Sequence, residues 1–167
     1  MNNKVKNTMK LAMVAALYVA VSLLIMPFSF GAVQLRLAEL FNLLVVFDKK
    51  YIYAVTLGCA ITNFFSPMGI IDVVVGAGST LIALWISYYG LRFFKKHLWQ
   101  KLLWIDIVVT LSTIAVALEL HFISHLPLWA TYGTIMIGEA ISLGIGTVVL
   151  LIIHRHFKSV YQLFELK

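Results

Sequence analysis

Charge is what this chain has least of: Asp, Glu, Lys and Arg make up 12% of its 167 residues, while 62% are hydrophobic and the mean hydropathy is +0.96. That scarcity excludes a soluble globular domain, which would have nowhere to bury so much apolar surface. Cysteine is nearly absent too. With Cys59 alone no intrachain disulfide can form, and a lone cysteine in an apolar run is ordinarily a small packing residue. Catalytic signatures are missing: there is no Gly-x-Ser-x-Gly elbow, no His-Glu-x-x-His, no Cys-x-x-Cys and no Gly-x-x-x-x-Gly-Lys-Ser/Thr phosphate loop. The chain is therefore not expected to be an enzyme, to carry a cofactor or to hydrolyse ATP itself. His121 and His125 have the i,i+4 spacing of a metal pair, but Pro127 and the aromatic neighbours mark a frayed helix end, so no metal site is expected.

What the chain has is apolar sequence broken by short polar or Pro/Gly segments. Stretches at about 8–27, 37–47, 51–64, 72–94, 101–121 and 130–154 read as membrane spans. The expected fold is all-α, an integral membrane bundle of six transmembrane helices forming one domain over residues 1–167. The basic start followed by apolar residues superficially resembles a signal peptide. The run is too long and lacks an Ala-x-Ala cleavage site, so it is expected to be the first span. Spans two and three are short. At about 1.5 Å per residue they cross only about half to two-thirds of a roughly 30 Å hydrocarbon core. Segments 31–36 and 65–71 are therefore expected to fold inward, since irregular backbone at that depth must be enclosed by protein.

The basic residues set the orientation. Lys4, Lys6 and Lys10 precede span one, Lys49 and Lys50 follow span two, and Arg92, Lys95, Lys96 and Lys101 lie between spans four and five. Arg155, Lys158 and Lys167 follow span six, so twelve of thirteen basic residues share one face of a six-span bundle. The positive-inside rule makes that face cytoplasmic, with both termini inside. The net charge of +6 is thus a topological signal, and nucleic-acid binding is not expected. Trp99 and Trp104 suit an inner aromatic belt and Trp129 an outer one. Residues 155–167 alternate charge with Phe157, Val160, Tyr161 and Phe164, as in a short amphipathic helix on the cytoplasmic membrane surface.

The other face is acidic. Arg36 is its one Lys or Arg, against Glu39, Asp72 and Glu119 near the membrane edge and Glu139 about 13 Å down span six. An ionisable group at membrane depth costs roughly 2.5–3.5 kcal/mol on insertion scales, so it persists where it is paired, hydrated or assigned to a ligand. Such a face suits a ligand with positive charge or several N–H donors. The plainer reading is that Arg36–Glu39 fixes a helix end and the other acids are solvated. Asn63 offers donors and acceptors or a helix cap, and Asp72 sits where it could cap span four. Small residues recur at helical spacing: Ala12, Ala16 and Ala20 in span one, Gly76, Ser79, Thr80 and Ala83 in span four, and Gly138, Ser142 and Gly146 in span six. They suit close approach of another helix, within this chain or from a partner; in spans four and six lining a binding cavity is the alternative, which Glu139 favours for span six.

The basic N-terminus, the Ala12/Ala16/Ala20 series, Gln34-Leu35-Arg36-Leu37-Ala38-Glu39 and Asn63-Phe64-Phe65-Ser66-Pro67-Met68-Gly69-Ile70-Ile71-Asp72 together resemble the QueT family over nearly the whole chain. The alanine series is shared loosely across S components, while the other two segments are more particular to this family. The resemblance implies a substrate-binding S component of an energy-coupling factor transporter for queuosine precursors, a multi-pass protein of the bacterial cell membrane. It implies capture of a 7-deazaguanine from outside and docking on a transmembrane coupling subunit that carries two cytoplasmic ATPases. Ala12, Ala16 and Ala20 would then form the docking face. The substrate site would draw on Gln34, Arg36, Glu39, Asn63, Asp72 and Glu139, with Phe30, Phe64 or Trp129 stacking on the ring. Glu39 and Glu139, in either order, would take the base edge and an ammonium group, with Asp72 in reserve. An S component for thiamine or riboflavin, or a small membrane scaffold or channel, are the competing expectations.

Overall fold

A computed structural model describes residues 2–26, 36–94, 97–157, 160, 161, 164 and 166; Gln34 and Phe30 lie outside the described residues. Every regular element among them is helical. Helix α1 spans Asn3–Leu24 and begins where the Asn2 Oδ1 accepts a hydrogen bond from the Lys4 amide at 3.2 Å. Helix α2 spans Leu37–Val46, α3 Lys50–Asn63, α4 Ile70–Phe93, α5 Leu98–Ser124 and α6 Leu128–His156. Four of these, α1, α4, α5 and α6, are long and apolar enough to cross a membrane, whereas α2 and α3 have ten and 14 residues.

The short α2 is a 3-10 helix along its whole length. A 3-10 helix rises about 2.0 Å per residue instead of about 1.5 Å, so its ten residues reach about 20 Å, close to what α3 covers with more. Tighter winding also eclipses side chains three apart. Arg36, Glu39 and Asn42 therefore line up on one edge.

Two of the long helices are locally irregular. Helix α4 widens into a π turn over Val73–Ala77 after the short α-helical start Ile70–Asp72, so Asp72 sits in its first turn and Gly69 takes the cap position. Helix α5 is jointed at Thr113, between Leu98–Ser112 and Ile114–Ser124. There Ser112 Oγ donates to the Val109 carbonyl and Thr113 Oγ1 to the Thr110 carbonyl, both at 2.7 Å. Hydroxyls that bond back onto a helix's own carbonyls bend it.

Helix α1 packs on α3, α2 on α6 and α1, α4 on α3 and α5, and α5 on α6. Lipid supplies little drive for helices to associate, so contact depends on close fit. Two glycines provide it. A Cβ on Gly58 of α3 would stand 2.9 Å from the Cβ of Tyr18 on α1, and one on Gly146 of α6 would stand 2.7 Å from the Cβ of Leu40 on α2. In span six the small-residue stripe thus serves internal packing at Gly146.

The main core centres on Leu43, Tyr51, Ile52, Leu84, Leu102 and Leu143. A separate small cluster of Val116, Ala117 and Ile135, flanked by Leu120, Leu128 and Tyr132, joins the facing ends of α5 and α6. The helices' outward faces expose Met9, Met13, Leu57, Ile82, Ile107 and Ile145, an apolar perimeter suited to lipid. In the tail, Tyr161 and Phe164 rest on Phe47 at ring distances of 4.8 and 5.6 Å, and Tyr51 Oη donates to the Phe164 carbonyl. The aromatic side of the tail is thus turned to the bundle at the α2–α3 corner. The α3–α4 connection departs from expectation: of 65–71, only Ser66 is fully buried, and Phe65 is exposed. Successive tight turns close it, with Ser66 N donating to the Asn63 carbonyl and Gly69 N to the Ser66 carbonyl, so no inward fold is needed to satisfy the backbone.

Candidate functional site

Four helices converge on a polar cleft between the two apolar clusters. Arg36 and Glu39 come from the start of α2, Ser79 and Thr80 from α4 just past its π turn, and Glu139 from α6. Val109, Ser112, Thr113 and Val116 of α5 complete it on both sides of the joint. Ser79 and Thr80 face inward because the π turn resets the helical phase before them. The free room is about 10 Å³, barely enough to hold one water molecule.

Glu39 is 3% exposed and fully engaged. Tyr18 Oη donates to its Oε1 at 2.8 Å, Asn42 Nδ2 donates to its Oε2, and Arg36 Nε lies 3.5 Å from Oε1. Because a carboxylate buried without partners is costly, this set of donors is what allows a charge at such depth. Tyr18 and Asn42 were not singled out in the sequence. Asn42 stands i,i+3 from Glu39, a spacing visible in the sequence, whereas nothing in the sequence sets Tyr18 against Glu39.

Glu139 differs. It is 1% exposed, and neither carboxyl oxygen has a hydrogen-bond partner. Leaving a buried acceptor unsatisfied costs about 1–3 kcal/mol, more for a charged group, a cost that a ligand bringing N–H donors would remove. Helix α6 begins at Leu128, which puts Glu139 about 16 Å from that end. Glu119 has the same property nearer the α5–α6 corner: it is 5% exposed with both oxygens unpartnered.

The other expected residues are dispersed. Asn63 Nδ2 donates to the Asp72 carbonyl at 3.1 Å and approaches Cys59 Sγ at 3.5 Å, so its amide ties the end of α3 to the start of α4. Asp72 is buried beside it, yet neither residue lines the cleft. Trp129 is 76% exposed in the first turn of α6, and Phe64 is also exposed. Among the described residues no aromatic ring lines the cleft. Asp106, an acid within the apolar run of span five, accepts from Thr147 Oγ1 at 2.9 Å on Oδ2, and its Oδ1 is buried without a partner. His121 Nδ1 meets the Leu126 carbonyl at 2.7 Å, and His125 takes a left-handed conformation that ends α5.

On α1, Ala12, Ala16 and Ala20 all face outward, beside exposed Met9, Met13 and Leu17. The face turned to the bundle carries Val14, Ala15, Tyr18 and Ser22 instead. Packing within this chain therefore does not account for the alanine series.

The sequence matches the family model described as QueT transporter over residues 8–155. It is 36% identical over 156 residues to the queuosine precursor transporter QueT of Lactococcus lactis subsp. cremoris (strain MG1363), an alignment that covers 89% of this chain and 92% of that protein. No solved structure matches it significantly.

Proposed function

Because the chain belongs to the QueT transporter family, we propose that it is the substrate-binding S component of an energy-coupling factor transporter that imports a queuosine precursor. It spans the bacterial cell membrane with six helices, both termini cytoplasmic, and captures a 7-deazaguanine such as 7-aminomethyl-7-deazaguanine from outside. The observation that carries this reading is the buried, unpartnered carboxyl group of Glu139 in a cleft lined by hydroxyls and one guanidinium. The pairing edge of a deazaguanine offers adjacent N–H donors that a carboxylate accepts in pairs, and its carbonyl suits a guanidinium donor. Arg36 and Tyr18 are engaged with Glu39, so Glu39 acts as the cleft's fixed wall and Glu139 as its free acceptor.

Transport then requires energy from elsewhere, supplied by a coupling subunit and two cytoplasmic ATPases. The outward Ala12, Ala16 and Ala20 form the strip on which that coupling subunit docks, since small side chains let a second helix approach closely. Radiolabelled 7-aminomethyl-7-deazaguanine is expected to bind the purified chain tightly without ATP. A folded, monodisperse preparation that ignores it and instead retains thiamine or riboflavin, identified by mass spectrometry, would reassign the substrate.

A further inference from the structure

We propose that Glu119 is a second substrate-contacting carboxylate, a subsite for the primary ammonium group of an aminomethyl-bearing heterocycle, with Asp72 adding negative charge beside it. The inference rests on the proposed deazaguanine reading and deepens it.

Three observations converge. Glu39, the other candidate for an ammonium, has its oxygens taken by Tyr18, Asn42 and Arg36, so a cation would have to displace them. Glu119 is little exposed, yet both its oxygens are buried without a partner. An acidic cluster alone would be no site; an unpartnered carboxyl group in this position is an acceptor held ready.

The third observation is placement. Ser112 and Val116 line the cleft, and Glu119 follows Val116 by three residues, which places it on the same helix face about one turn beyond the lining, toward the α5–α6 corner. The half-helix Ile114–Ser124 packs against the π turn of α4, which follows Asp72 directly, so the start of α4 brings a second carboxyl group to this end of the bundle. Along the helix axes Glu119 stands about 8 Å and Glu139 about 16 Å from the corner. Their offset along the helix axes, about 8 Å, is a length that a fused two-ring heterocycle with a one-carbon arm can lie along: pairing edge at Glu139, ammonium at Glu119. An arm ending in a nitrile has no proton to donate and no charge, so Glu119 would favour the amine over the nitrile.

The test compares 7-aminomethyl- and 7-cyano-7-deazaguanine on purified full-length protein by calorimetry. The wild type is expected to prefer the amine, and Glu119→Gln to lose about tenfold or more of amine affinity while nitrile affinity stays within about twofold. Asp72→Asn is expected to give a smaller loss of the same selectivity. Both variants keep side-chain volume, and unchanged nitrile binding certifies the fold. Equal losses for both compounds, no loss for either, or a wild type that prefers the nitrile would overturn the subsite while leaving the transport reading intact. A wild type that binds neither compound would overturn both.

Discussion

Glu39 and Glu139 are equally buried carboxyl groups with opposite circumstances, and substitution should separate them. Tyr18 Oη is one of the donors that make Glu39 tolerable, so Tyr18→Phe is expected to lower stability by about 1.5–3 kcal/mol, the usual worth of a hydrogen bond to a charged group. Thermal unfolding in detergent checks this; an unchanged midpoint would mean that Tyr18 does not hold Glu39. Glu139 has no partner to lose. Glu139→Gln is expected to leave the midpoint unchanged or raised, because it removes an uncompensated acid, while weakening deazaguanine binding about tenfold or more. Unchanged affinity would remove Glu139 from the site. The charges at 36, 39 and 139 were legible in the sequence because ions are rare in such a chain. Their division into anchor and acceptor was not, since it depends on Tyr18, 21 residues away, reaching Glu39.

Among the elements, α2 meets α6 at a close approach that Gly146 permits. Gly146→Val would place side-chain atoms where Leu40 and Leu43 now lie, pushing α2 and its Arg36/Glu39 edge away from α6. Overpacking of this kind costs about 1–3 kcal/mol, and ligand affinity should fall with it. A Gly146→Val protein with wild-type binding would show that the α2–α6 distance does not set the site. Helix α5 makes a second demand. Room for one water does not admit a two-ring heterocycle, so the cleft walls must part when ligand enters. The half beyond the Thr113 joint is held by the small Val116, Ala117, Ile135 cluster, separate from the main core that Leu102, Ile105 and Val109 join. Local opening favours regions with few buried contacts. Amide hydrogen exchange is therefore expected to be faster over Ile114–Ser124 than over Leu98–Ser112 without ligand, and to slow when ligand is added. Equal protection of both halves would place the opening elsewhere.

For the whole molecule, the proposed transport cycle separates binding from docking. Ala16→Trp adds a large side chain to the outward face of α1, away from the cleft. Uptake by cells that contain the complete transporter is expected to stop while purified protein binds substrate as before; persisting uptake would move the docking face elsewhere. Orientation has its own check. If all six apolar stretches span, as proposed, twelve of thirteen basic residues share one face, and a fluorescent protein fused after Lys167 should fold and fluoresce in the cytoplasm. A dark fusion with an active periplasmic or surface reporter would invert the topology.

Composition by itself determined that this chain is helical and apolar enough for a membrane, because backbone groups in lipid are satisfied most simply within a helix, and the long apolar runs marked where α1, α4, α5 and α6 lie. It also marked the scarce charges as the places to look. Tertiary structure decided which of them meet. The 3-10 winding of α2 sets Arg36, Glu39 and Asn42 on one edge, the joint in α5 and the π turn in α4 aim hydroxyls at the same cleft, and Asn63 is spent on the Asp72 carbonyl instead of facing it. None of this follows from apolar periodicity. It depends on hydrogen bonds between distant helices, and on glycines whose importance lies in what stands opposite them.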